Sequence, residues 1–400
     1  MRVDPRLCVT CKGNRRLCGL EKCPILERIR VHLKIKVRGD LVDGASPPFS
    51  LVGEAGYPKV MVGSLISENI YLARLSEDHS ALLDMDLSRI IEIRASLMNL
   101  SSRYRIRGQE DRNLEEMRLS AMSSIPVLME AKVKAALDPR IKFDGLLAPV
   151  GPTARVERIR LEEEPKVPRR VDQLVFDQDV RAFDAAVELY TSGIDVYHIT
   201  RLLSLGLLGR RDFRKLVPTR WSITAVDSML GDFLKRKVLS LPEHSSEVLL
   251  YRSEFSDNRY RILIVPGPYR LSVVECWLPR GLWTGSSAQI TTNYEDSMQG
   301  FHLMDGGHYA MRLPILEHLV RIRRQATCVA VREIGPGYYA PVGNWQIREA
   351  VRRALSSKPV KFDSLDEAIS SLDISKEALS AVLRSRALQM LRVRRLTDFL

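Results

Sequence analysis

Four cysteines crowded into sixteen positions, Cys8-x2-Cys11-x6-Cys18-x4-Cys23, constrain this chain more than any other feature in it. A Cys-x2-Cys pair sets two thiolates on one knuckle turn, and a second pair shortly afterwards can complete a tetrahedron around a metal ion. Gly13 and Gly19 stand beside these ligands, where a knuckle bends the backbone into conformations that suit glycine. Four sulfur ligands leave no open position, so the expected site is structural, with zinc as its metal and an iron–sulfur cluster as the alternative. A redox Cys-x2-Cys would instead precede a helix of a thioredoxin-like unit, and nothing around these residues suggests one. Lys12, Arg15 and Arg16 make the knuckle basic and are candidate nucleic-acid contacts. Cys276 and Cys328 stand alone in apolar segments and read as buried small hydrophobes.

Charge is the next constraint. The 400 residues carry 61 Lys and Arg against 49 Asp and Glu, a net charge of +12, and 46 of the basic residues are Arg. Arginine's planar fork matches phosphate and carboxylate oxygens, which favours contact with nucleic acid. An alternative is a heat-adapted surface laced with Arg–Glu pairs. No stretch approaches the ~20 uninterrupted apolar residues of a membrane span, and the N-terminus lacks the apolar run of a secretion signal. The expectation is a soluble, intracellular protein.

Along the chain, residues 43–63 are rich in Gly and Pro between short apolar runs, which predicts strands joined by tight turns. Residues 68–136 and 172–237 read as helical. Between them, prolines and alternating charges mark 156–171 as a linker. Strands are expected in EVLLYR, YRILIVPG, YRLSVVECWL and ATCVAVREI, and helices over 308–324 and in WQIREAVRRAL. The fold class is α+β, mixed helices and short strands without βα alternation, with a small N-terminal four-Cys zinc knuckle. The expected divisions are a zinc finger at 1–28, an N-terminal α+β region at 29–155, the linker, a central helical and strand region at 172–300, a C-terminal α+β region at 301–388 and a tail at 389–400.

That tail ends Val393-Arg-Arg-Leu396-Thr-Asp-Phe399-Leu400. An apolar residue three positions ahead of an aromatic–apolar pair forms one helical turn that can plug a hydrophobic pocket on a partner. Sliding-clamp binding motifs have this form, usually with Gln where Val393 stands. Three internal segments concentrate chemistry. Thr219, Arg220, Ser222 and Asp227 interleave with Trp221 and Val226 in a stretch too polar for an ordinary core helix. His302, Asp305, His308 and Arg312 gather around two glycines, and Asn344, Trp345, Arg348 and Glu349 stand at a helix start. Glycine turns at helix N-termini suit phosphate or a nucleotide. If the chain is an enzyme, Arg220, Asp227, His302, Asp305, Arg312 and Glu349 are the catalytic candidates, in a pocket built from 216–227, 299–312 and 341–349. No catalytic triad, P-loop or dinucleotide fingerprint is present.

Taken together, the four-Cys cluster, Pro47-Pro48-Phe49, Gly56-Tyr57-Pro58-Lys59-Val60-Met61-Val62-Gly63, the segment Leu216 to Asp227, Asp305-Gly306-Gly307, Trp345-Gln346-Ile347-Arg348-Glu349 and the tail resemble the archaeal Nre family of DNA repair proteins. The resemblance spans the chain in the family's order. It implies a role in DNA damage repair, a zinc finger at Cys8, Cys11, Cys18 and Cys23, and docking on the sliding clamp (PCNA) through Val393, Leu396, Phe399 and Leu400. It also implies an archaeal cytoplasm, in association with the nucleoid, and it supplies no reaction. The reading is a DNA-binding repair factor recruited to the clamp, the alternative an enzyme acting on nucleic acid or a nucleotide.

Overall fold

The computed structural model describes residues 5–13, 15, 17–20, 23–29, 40–108, 111–134, 141–144, 147–245, 247–298 and 304–391. His302, Arg16 and the tail residues Val393, Leu396, Phe399 and Leu400 lie outside the described residues. Two compact units are present: Ile29–Leu230, and Met1–Arg28 joined with Gly231–Leu400. The division falls inside the helix Thr219–Leu239. The chain is therefore α+β, and among the described residues no helix is long and apolar enough to cross a membrane.

The unit Ile29–Leu230 holds strands β1 (Leu41–Ser46), β2 (Ser50–Val52), β3 (Lys59–Ile66), β4 (Met98–Arg105), β5 (Val127–Val133) and β6 (Thr153–Leu161). They form a sheet of order β1-β5-β6-β4-β3-β2. Its neighbours are antiparallel except β4 and β6, which run parallel. The turn into β3 depends on Gly56, whose φ is +84° and where a Cβ would stand 2.9 Å from the Lys59 carbonyl oxygen. Helices begin where short polar side chains can take up first-turn N–H groups. Asn69, Asp78, Asp86, Asp111 and Asp195 each do so.

Two expectations fail here. The stretch 68–136 is not helical throughout, because β4 and β5 interrupt it. The β5 sequence VLMEAKV is made of good helix formers, and sheet pairing on both sides overrides that weak preference. Nor is 156–171 a linker. Residues 156–161 belong to β6, a central strand, and a helix begins at Arg169. Buried Ala154, Val156 and Ile159 alternate there with exposed charges, so the alternating charges were the outer face of a strand.

The second unit builds its sheet from β7 (Val248–Phe255), β8 (Asn258–Val265), β9 (Arg270–Trp277), β10 (Gln289–Asp296), β11 (Thr327–Ile334) and β12 (Val360–Phe362). The order is β10-β9-β11-β8-β7-β12, again with a single parallel pair, β9 with β11. All of β11 (TCVAVREI) is buried, as expected for a central strand covered on both faces. Val329 and Val331 pack with Val248, Leu263 and Val274 against Ile369, Leu372, Val382 and Leu388 of the C-terminal helices. The helices Gly306–Arg321 and Trp345–Ser356 pack on each other and on strands of this sheet. The edge strand β10 alternates buried and exposed positions, which places Asn293 and Glu295 beside the start of the helix Gly306–Arg321.

Candidate functional site

Cys8, Cys11, Cys18 and Cys23 share one space. Helix Pro5–Cys11 carries Cys8 and Cys11 three positions apart, hence on one face. Together with Cys18 and Cys23 they line a cavity of about 160 Å³, walled also by Leu7, Leu20 and Trp283. No disulfide joins them. Gly13 (φ +81°) allows the chain to turn between the ligands, since a Cβ there would meet Leu26 at 2.4 Å. The donor set suits a thiophilic metal. Among the described residues, however, no three of the four sulfurs lie within 4.8 Å of one another. Lys12 turns inward: its Nζ stands 3.2 Å from Glu275, and its side chain is 12% exposed. Arg15 is exposed.

In the same unit, the entrance of the helix Gly306–Arg321 organises a buried polar cluster. Asp305 caps the helix by accepting the His308 N–H at 2.8 Å, while its other oxygen accepts from Asn293 at 2.8 Å. Arg312 donates from Nε to Glu295 and from Nη2 to Asp232, both at 2.8 Å. Glu295 also accepts from the Tyr269 hydroxyl and lies 3.8 Å from Lys235. Gly231 leaves room for this, because a Cβ there would stand 2.2 Å from Arg312 Nη1. Gly307 does the same for Glu275, which it would otherwise meet at 2.4 Å. Glu275 in turn accepts from Arg332 at 2.8 Å, and Arg332 donates to Asn258 at 2.9 Å.

The charges in this cluster are set by their neighbours. Burial would raise the Asp305 carboxyl, but Lys12 and the hydrogen bonds from His308 and Asn293 outweigh it and hold the pKa below the usual range. Burial likewise opposes ionisation of Glu295, and Arg312 overcomes it. Burial pushes His308 down to about 4 despite the nearby Glu295 and Asp305, so its imidazole is neutral at pH 7. Among the described residues, neither ring nitrogen of His308 has a hydrogen-bond partner. Asp305, His308 and Arg312 are thus brought together as the sequence suggested. Glu349 accepts from Arg352, which also grips Glu317 and ties helix Trp345–Ser356 to helix Gly306–Arg321. Asn344 donates to the Gly306 carbonyl at 2.8 Å, supporting the helix entrance.

The remaining predicted segment, 216–227, lies in the unit Ile29–Leu230 for all its residues. Thr219 is fixed at the start of its helix: its Oγ1 accepts the Val52 N–H at 2.8 Å and pairs with Ser204 at 2.9 Å. Arg220 donates to Glu54 at 2.7 Å and lies 3.7 Å from Asp144. Ser222 and Asp227 are buried, and the Ser222 hydroxyl lacks a partner among the described residues. Trp221 points outward, 47% exposed, with its ring centroid 5.3 Å from that of Tyr57, itself 41% exposed. The start of β3, the end of β4 and the approach to this helix meet here, since Ile106 donates to Pro58 at 3.0 Å and Leu216 donates to Ile106 at 2.9 Å.

Sequence reasoning did not identify Tyr57, Glu275, Glu295 or Arg332 as members of these clusters. Acidic residues in the predicted strand YRLSVVECWL carried a signal for Glu275, since a charge inside an apolar strand needs a partner. Nothing local pointed to Tyr57 and Trp221 meeting across 163 intervening positions.

Two mixed sheets, a polar helix entrance in each unit and a cysteine-lined N-terminal cavity define the class of protein: a two-unit α+β chain. Residues 17–284 match the family described as "Archaeal Nre, N-terminal" and residues 293–399 the one described as "Archaeal Nre, C-terminal". The chain belongs to the archaeal Nre family. It is 38% identical over 368 residues to the DNA repair protein NreA of Archaeoglobus fulgidus, covering 91% of this chain and 92% of the relative. To the DNA repair protein NreB of the same organism it is 30% identical over 394 residues, covering 96% and 98%. The DNA repair protein NreA of Haloferax volcanii is 33% identical over 359 residues, covering 86% and 85%. No solved structure matches the chain.

Proposed function

We propose that this protein is a DNA repair factor that binds DNA, orders its N-terminal segment around a zinc ion and is recruited by the sliding clamp through residues 393–400. The observation that carries the repair role is similarity along nearly the whole chain to three relatives that each bear the name of a DNA repair protein. The net charge of +12, mostly from arginine, supports direct contact with phosphates. A cavity lined by all four cysteines supports the metal. Zn–S bonds of about 2.3 Å require sulfurs roughly 3.8 Å apart, so metal binding draws the cysteine ring inward. In the tail, Val393, Leu396, Phe399 and Leu400 supply apolar anchors for a clamp pocket. Tethering to a ring already threaded on DNA raises the local concentration of a protein whose own DNA contacts are modest.

The test joins two measurements on the full chain. DNA affinity should fall linearly with the logarithm of salt concentration, with a slope set by the number of phosphates contacted. Removing residues 393–400 should abolish capture by the clamp while leaving that salt curve unchanged. Absence of DNA binding at low salt overturns the DNA-binding reading, and undiminished clamp capture by the shortened chain overturns the tail assignment.

A further inference from the structure

The exposed contact between Tyr57 and Trp221 serves no core. Each ring leaves close to half its surface in solvent, where a large aromatic side chain loses the burial that normally stabilises it. The backbone nevertheless holds both rings firmly. Gly56 sets the turn before Tyr57, with Tyr57 N–H donating to the Glu54 carbonyl at 3.2 Å. Trp221 sits in the first turn of a 21-residue helix anchored by Thr219 and by the Arg220–Glu54 pair. That ion pair also offsets the charge of Glu54, three positions before Tyr57.

Around the rings the charge is basic. Lys59 opens β3 two positions after Tyr57 and is exposed. Arg107 and Lys215, also exposed, flank the Ile106–Leu216 hydrogen bond that closes the same corner. An exposed, pre-positioned aromatic pair bordered by three cations has the two components that unpaired nucleic acid requires, a stacking surface for bases and a basic border for the backbone. A duplex would use the cations alone, because its base faces are already stacked within the helix.

We propose that Tyr57 and Trp221 form a stacking platform for an unpaired base, with Lys59, Arg107 and Lys215 holding the adjoining phosphates, so that this corner of the unit selects single-stranded over duplex DNA. The inference rests on the DNA-binding reading above and names the form of DNA taken by one surface.

The experiment compares binding of the full-length protein to a short oligothymidylate and to a duplex of equal length, for the wild type and for Trp221→Leu, Tyr57→Leu and Trp221→Phe. Stacking of a base contributes about 1–3 kcal/mol, so each Leu variant should lose roughly ten-fold in affinity for the single strand and less than about two-fold for the duplex. Trp221→Phe, which keeps an aromatic face, should retain most of the affinity, and unchanged thermal unfolding of the variants separates a lost contact from a lost fold. Oligothymidylate should also quench tryptophan fluorescence in the wild type and not in Trp221→Leu, because Trp277, Trp283 and Trp345 are buried. Equal losses on single strand and duplex, or no loss on either, overturn the platform while leaving DNA binding in place. A wild-type protein that binds neither oligonucleotide overturns the DNA-binding reading and the platform with it.

Discussion

Both units are built on six-stranded sheets with one parallel pair, yet they treat charge at a helix entrance in opposite ways. At the start of the helix Gly306–Arg321, Glu275, Glu295, Arg312 and Arg332 are buried and bound to one another, to Lys12, Asp232 and Lys235, or to neutral partners. At the start of the helix Thr219–Leu239, Arg220 is pinned to a partly exposed Glu54, and the aromatic side chains are left outside. Buried ions cost desolvation and are held only by complete pairing, so they fix a geometry more than they add stability. Exposed groups held by a rigid backbone are available to something else. The difference suggests that one unit invests its polar residues in shape and the other in contact.

The sharpest way to break this comparison is to remove one carboxylate from each unit. Glu275→Gln leaves Arg332 buried without its counter-charge and should destabilise its unit by about 3–5 kcal/mol. Glu54→Gln, at a side chain 37% exposed, should cost less than about 1 kcal/mol. Denaturant unfolding measures both, and similar losses would mean that the two entrances do not differ in kind.

Acid should separate the units next. Burial pushes His308 and His318 down to about 4, with Arg321 adding to the effect at His318. In the unfolded chain these imidazoles take up protons near pH 6.5, before the folded form does. Stability is therefore complete above that pH and declines as pH falls from about 6.5 towards 4. His198, the counterpart in Ile29–Leu230, is lowered to about 2 by burial and Arg201. Its contribution declines over the same upper range and continues downward. Thermal unfolding followed from pH 7 to pH 4.5 should show the larger drop in the unit with two such histidines, and equal drops would count against the contrast.

The smallest effect sharpens the exposed side of the comparison. Replacing Lys59 and Arg107 together by Gln should leave thermal stability unchanged and reduce the salt slope of DNA binding by roughly two. An unaltered slope would place the phosphate contacts elsewhere.

How much of this was legible in the sequence depended on whether the signal was local. The run TCVAVREI announced a buried strand because its apolar residues are continuous, and Asp305 before two glycines announced a helix entrance. The sequence Leu216 to Asp227 reads as a segment that presents side chains; Trp221 is exposed, while Thr219, Ser222 and Asp227 are buried. By contrast, β5 hid behind residues with helical preference and β6 behind flanking prolines, because pairing partners from elsewhere in the chain decide both. Tyr57 beside Trp221, and Glu295 on Arg312, depend on which strand ends the sheet brings together. Periodicity reports the face a residue occupies and says nothing about who stands opposite.

The cysteine-bearing segment belongs to a unit whose remaining residues begin at Gly231. This has a consequence in time. Trp283, which walls the cysteine cavity, and Glu275, which receives Lys12, are translated long after Cys23. At roughly 5–20 residues per second that interval is on the order of tens of seconds, during which Ile29–Leu230 is completed first. The thiols thus emerge from the ribosome well before the wall that shelters them, and a metal captured early would guard them against oxidation until the later strands arrive.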